Sequence, residues 1–163
     1  MNKEKKNLTF DRLRDKAEVY CMRAEHCSMQ VSDLLKRHGA TQEQISQIIE
    51  GLKKEGFIDE SRFSEAFARD KHRFNGWGKE RIRLELKARH IAETDIVRAL
   101  ELLTEQFDMQ SAVEELLMKK YRSLKDFSFG SAYPKLMRYG LYRGYSYELV
   151  DKVARELLKD NGE

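Results

Sequence analysis

The stretch "FNGWGKERIRLELKARHI", residues 74–91, places Trp77 between Gly76 and Gly78 and then runs into a segment carrying five Lys or Arg residues. Glycine adopts backbone conformations that a side chain resists, so this turn can join a helix ending near Phe74 to one beginning near Lys79. Trp77 is read as an anchor of the turn against the core, with stacking on a base or a partner as the alternative. The glycines do not make a dinucleotide loop, because "GWGKER" lacks a preceding strand and the full Gly-rich pattern. In the helix that follows, Ile82 and Leu86 share one face, and Lys79, Arg83 and Lys87 form an i+4 series on another, continued by His90. Arg81 and Arg89 lie off that stripe. Such a helix is ordinarily a solvated face, but Arg69, Lys71 and Arg73 just before the turn raise an electrostatic contact surface above that reading.

The same helix punctuation recurs outward from this segment. Ser28 can cap a helix ending at Gly39, and Thr41 can cap the next, with Ile45, Ile48, Ile49 and Leu52 on one face as far as Gly56. In "FIDESRF" Asp59 can cap a new helix, and Phe63, Ala66 and Phe67 restart a buried face. Adding 51 or 105 to residue numbers 31–52 superimposes two further units. Val31 then corresponds to Ile82 and Leu136, Ile45 to Ile96 and Val150, and Leu52 to Leu103 and Leu157. Gly39 maps onto Gly144, but onto His90 in the middle unit. With leading helices near 11–26, 60–74 and 110–124, this period predicts an all-α fold of tandem three-helix repeats in an elongated row. The expected repeats are 11–57, 58–107 and 108–160, after a mobile polar tail over 1–10.

Composition agrees with a folded, highly charged helical protein: 163 residues, 40% hydrophobic, 36% charged, a single proline (Pro134) and seven tyrosines. The net charge of +3 is small, but it is distributed in blocks. Residues 69–90 hold eight Lys or Arg against three acids, 92–118 one against seven, and 119–143 seven against Asp126 alone. Such blocks can present basic surfaces on a molecule of low net charge. Lys119, Lys120, Arg122, Lys125, Lys135, Arg138 and Arg143 are interleaved with Tyr133, Tyr139, Tyr142, Tyr145 and Tyr147, a pattern that suits single strands through phosphate attraction and stacking; at least half of these tyrosines are expected in the core instead.

Cys21 and Cys27 read as two thiols on one helix, on different sides of it, and with His26 they fall short of a zinc site, so no metal is expected. His26, His38, His72 and His90 are scattered, and adjacent acids such as Glu114 and Glu115 point apart, so no catalytic residues and no cofactor are expected. No apolar run approaches the ~20 residues that span a bilayer, and the first ten residues lack the apolar core of a signal peptide. A cytoplasmic, monomeric protein with no membrane partner is the expectation.

The order of "FIDESRFSEAFARDKHRF", "GWGKERIRLELKARHI" and "AETDIVRALELL" resembles the RecX family, bacterial regulators of the RecA recombinase. The motif residues are Phe57, Ile58, Asp59, Arg62 and Phe63, then Gly76, Trp77 and Gly78, then Arg81, Ile82, Leu86 and Ile91. Trp77 stands where Tyr or Phe is more usual. The resemblance covers about residues 12–158, most specifically in the middle unit. It implies a curved row of three-helix repeats that binds in the groove of the RecA–DNA filament and limits recombination, ATP hydrolysis and co-protease activity. Asp59 and Arg62 are read as a cap and a nearby charge, and Phe57, Phe63 and the turn residues as structural. The contact candidates are Arg69, Lys71, Arg73, Lys79, Arg81, Arg83, Lys87, Arg89, Lys135, Arg138 and Arg143, facing RecA, single-stranded or double-stranded DNA, or both. A direct DNA-binding protein of helix-turn-helix type is the second reading, weakened by acids among the basic residues. A structural adaptor for an unrelated acidic helical partner is a third.

Overall fold

The structure is a computed structural model that describes residues 8–161, and over these residues it holds nine helices and no strand. They are α1 (Phe10–Arg23), α2 (Ser28–Arg37), α3 (Gln42–Lys54), α4 (Glu60–Asn75), α5 (Lys79–Ala88), α6 (Glu93–Gln106), α7 (Met109–Arg122), α8 (Phe129–Tyr142) and α9 (Tyr147–Asp160). The tail expected over residues 1–10 lies outside the described residues as far as residue 7. Beyond it, Leu8 and Phe10 pack on the first core and the Thr9 side chain caps α1. No described helix is long and apolar enough to cross a membrane.

Local chemistry sets most of these boundaries. Thr41 and Gln44 form a reciprocal capping box at the start of α3, and the Asp59 carboxylate accepts the Arg62 N–H at 2.9 Å to start α4. Gly76, with φ of +65°, ends α4 in the left-handed conformation that lets the last carbonyls find donors. The turn after the second helix of each unit is left-handed at equivalent positions: Gly39 (φ +82°), His90 (φ +58°) and Gly144 (φ +92°).

The leading helix is shorter than its periodicity predicts. It ends at Arg23, where Ala24 turns extended, so Cys21 and Cys27 are not on one helix. Contacts made by the connection explain the stop. The His26 ring stacks on Tyr20 with centroids 3.6 Å apart, Glu25 pairs with Arg62 of α4, and Cys27 enters the core beneath α4 and α5. Cys27, not Ser28, is the N-cap residue of α2, and both thiols are free.

The buried apolar residues fall into three clusters, one per helix triple. Leu13, Ala17, Val31, Leu35, Ile45, Ile48, Leu52 and Ile58 form the first. Phe63, Ala68, Ile82, Leu86, Ile91, Ile96, Ala99, Leu100 and Leu103 form the second, with Cys27 arriving from the connection before α2. Val113, Leu117, Leu136, Val150, Val153 and Ala154 centre the third. Neighbouring clusters are bridged, the first two by Cys27 and Met29 and the last two by Met109, which packs on both. The molecule is therefore a row of three small bundles, each leaning on the next.

Two outcomes test this account. Leu86 is fully buried, so Leu86→Ala should destabilise the protein by about 2–5 kcal/mol in urea unfolding. His90 holds a left-handed backbone where the other units use glycine, so His90→Gly should stabilise by about 0.5–1 kcal/mol.

Candidate functional site

The Gly-Trp-Gly turn is the joint between the second and third bundles. The Gly78 N–H donates to the Arg143 carbonyl at 2.7 Å, and the Glu80 N–H donates to the Gly144 carbonyl at 2.9 Å. The α8–α9 turn thus satisfies donors at the N-terminus of α5, which has no side-chain cap of its own. The two backbones touch. A Cβ on Gly78 would lie 2.6 Å from the Gly144 carbonyl carbon, and one on Gly144 would lie 2.5 Å from the Arg81 nitrogen. Tyr145, buried and with its phenol pushed up to about 12 by that burial, donates its hydroxyl to the Gly76 carbonyl at 3.2 Å. Trp77 is half-buried against the second core, and buried His72 donates from Nδ1 to the Trp77 carbonyl at 2.9 Å.

Around this joint the basic residues divide by what they touch. Arg81 lies between the rings of Trp77 (4.2 Å) and Tyr142 (4.8 Å), one from each bundle, and donates to the Tyr142 carbonyl. Arg143 donates to the Asn75 carbonyl and to the Tyr139 hydroxyl. Lys71 sits over Trp77 and Phe67, while Arg89 sits over Phe67 and pairs with Glu85 at 2.8 Å. On the α5 stripe, Arg83 and Lys87 both turn to Glu93 at the start of α6, which leaves Lys79 as the member with no ion pair among the described residues. Arg69 approaches Asp70 at 3.6 Å, and Arg73 packs over the exposed Phe74 ring.

Beside the joint lies a notch of about 280 Å3 lined by Lys120, Lys135, Arg138, Tyr139 and Tyr142, with no acid among them. Lys120 stands 5.3 Å above Tyr139, Lys135 donates to Ser131, and Tyr142 is 67% exposed, an open aromatic face beside three cations. On the other side of Tyr139 a larger cleft of about 520 Å3 separates the second and third bundles, with Arg73, Phe74, Lys119 and Arg143 on its walls and Glu115 as its acid. Sites of this composition hold extended anionic ligands through charge and stacking.

Of the motif residues, Phe57 packs on the first core and Phe63 is buried in the second, while Arg62 bonds Glu25 and the Gly56 carbonyl and so ties α4 to the first bundle. Three participants were not read from the sequence: Gly144 as the partner of Gly78, His72 as the tie on Trp77, and Glu93 as the counter-ion of the basic stripe. Only Gly144 had a signal, its place in the repeat. No group of His, Cys, Asp and Glu suited to a metal occurs among the described residues.

Residues 59–100 match the family description "RecX, second three-helix domain" and residues 108–154 match "RecX, third three-helix domain". The chain belongs to the RecX family. It is 30% identical over 132 residues to "Regulatory protein RecX" of Pseudomonas entomophila, covering 80% of this chain and 82% of that one. It is 28% identical over 138 residues to the protein of the same description from Oceanobacillus iheyensis, and spans about half (49%) of that relative's length. Two crystal structures share the RecX fold. RecX from Lactobacillus salivarius matches with a TM-score of 0.76 at 23% identity, over 91% of this chain and 96% of that one. A second regulatory protein RecX matches with a TM-score of 0.73 at 20% identity, over 93% and 74% of the two chains. The RecX relatives that it matches are regulatory proteins.

The joint yields a direct test. Gly78→Ala should destabilise the protein by about 1–3 kcal/mol, since the displaced atoms are backbone and cannot swing aside. Trp77, the single tryptophan, sits at the joint and reports its loss by fluorescence.

Proposed function

We propose that this RecX-family chain regulates a RecA recombinase by lying in the groove of the RecA–DNA filament, where it limits recombination, ATP hydrolysis and co-protease activity. In this reading residues 11–57, 58–107 and 108–160 act as three modules that meet successive protomers along the groove. Contacts on one connected row gain from effective concentration, so weak individual sites sum to tight binding. The observation that carries the reading is the acid-free notch beside the second joint. It offers three cations with no acid in its lining and an exposed tyrosine on a chain whose net charge is only +3.

The division of the basic residues assigns them different parts. Arg81 and Arg143 join the second bundle to the third, Arg89 and Lys71 pack within the second, and Arg83 and Lys87 are partly neutralised by Glu93. Lys120, Lys135, Arg138, Lys79 and Arg73 then face the filament. The same division weighs against a helix-turn-helix reader of naked DNA. In such a protein the N-terminal end of the recognition helix reads base edges, whereas here the α8–α9 turn covers that end of α5.

Charge reversal at Lys120, Lys135 and Arg138 together should weaken inhibition of filament ATP hydrolysis at least tenfold in half-inhibitory concentration, with helicity unchanged by circular dichroism. Reversal at Lys79, Arg83 and Lys87 should weaken it by a smaller factor. Undiminished inhibition by a folded Lys120, Lys135 and Arg138 triple variant would refute the assignment.

A further inference from the structure

The two joints in the row are built differently, although the repeat places equivalent residues at each. At the second joint the N-cap residue of α5, Gly78, meets Gly144 of the next bundle, and the contact is backbone against backbone. The equivalent pair at the first joint is Cys27, the N-cap residue of α2, and His90. Both carry a Cβ where the second joint has no room for one. The backbone clamp is therefore sterically unavailable to the first joint, and the structure shows what replaces it. The Cys27 N–H turns to the side chain of Gln30 in its own helix at 3.0 Å. The Ser28 N–H and hydroxyl, at the first turn of α2, both donate to one oxygen of Glu60, at 2.7 and 2.5 Å. Glu25 receives Arg62 at 2.5 Å. His90 stays exposed on the rim of an open cleft of about 440 Å3 that runs between the bundles, with Ser28, Met29 and Lys53 across from it.

We infer that the first bundle is a hinged arm: it swings at the Ser28–Glu60 and Glu25–Arg62 contacts, while the second and third bundles move as one body. A carboxylate on a rotatable side chain can follow a moving helix end or exchange for water. The backbone clamp of Gly78 and Glu80 on the Arg143 and Gly144 carbonyls has no such play, because displacement there breaks two backbone hydrogen bonds and parts closely packed main chains, and α5 has no side-chain cap to take the bonds over. The arm still keeps its place in the row, since Cys27 and Met29 remain inserted at the second core and act as the pivot. A row with one fixed and one compliant joint can adjust its first contact to the pitch of a helical partner without losing the register of the other two.

The test is a distance distribution in the full chain, with nitroxides on keto amino acids introduced at the exposed positions Lys16 in α1, Glu105 in α6 and Glu156 in α9. Double electron–electron resonance should give a Lys16–Glu105 distribution at least twice as wide as the Glu105–Glu156 distribution. Glu60→Ala, and separately Glu25→Ala, should widen the first and leave the second unchanged, whereas Gly78→Ala should widen the second. Equal widths in the unsubstituted chain would overturn the inference. So would a Lys16–Glu105 distribution that neither Glu60→Ala nor Glu25→Ala alters.

Discussion

The close approach of Gly78 to Gly144 is the contact on which the arrangement of the second and third bundles depends. It joins two turns that each end or begin a helix, so it does two things at once. It supplies carbonyl acceptors to the uncapped N-terminus of α5, and it fixes where the third bundle stands. The side chains around it follow from that placement. Arg81 can lie between Trp77 and Tyr142 only because the backbones beneath are in contact, and Tyr145 reaches the Gly76 carbonyl for the same reason. A bundle of about 50 residues buries a limited core, so the stability of each unit draws on its neighbour through such joints.

This construction also decides which basic residues remain available. A cation between two rings, or paired across a turn, has already met its counter-group inside the molecule. Among those left, Lys120, Lys135 and Arg138 are gathered by α7 and α8 around Tyr139 and Tyr142. The low net charge is no obstacle to such a surface, because the acids lie in other blocks, above all between residues 92 and 118. Separation of charge along the chain lets one surface be basic while the net charge stays low.

The helices were legible in the sequence because their signals are local. Thr41 and Asp59 announce helix starts three residues before the donors they accept, and Gly39, Gly76 and Gly144 mark left-handed ends. The repeat emerged from apolar spacing alone, with Val31, Ile82 and Leu136 all fully buried at equivalent places. The misreading of the first helix has the opposite cause. Residues 24–27 have a helical pattern, but Arg62 and the second core draw them out of it, and neither influence lies within a helical turn of them. The basic stripe shows the same limit. The spacing of Lys79, Arg83 and Lys87 is real, yet two of its members end on Glu93, a partner placed by the left-handed turn at His90. Gly78 reads as a turn glycine in isolation, and its reason for being glycine is in another bundle.

The most direct test of the functional account is binding of the purified chain to three targets at matched salt: naked single-stranded DNA, free RecA, and RecA assembled on that DNA with a non-hydrolysable nucleotide. The account predicts a strong preference for the assembled filament. Comparable binding to naked DNA, with no gain from the filament, would contradict it and would make the basic notch a nucleic-acid site in its own right.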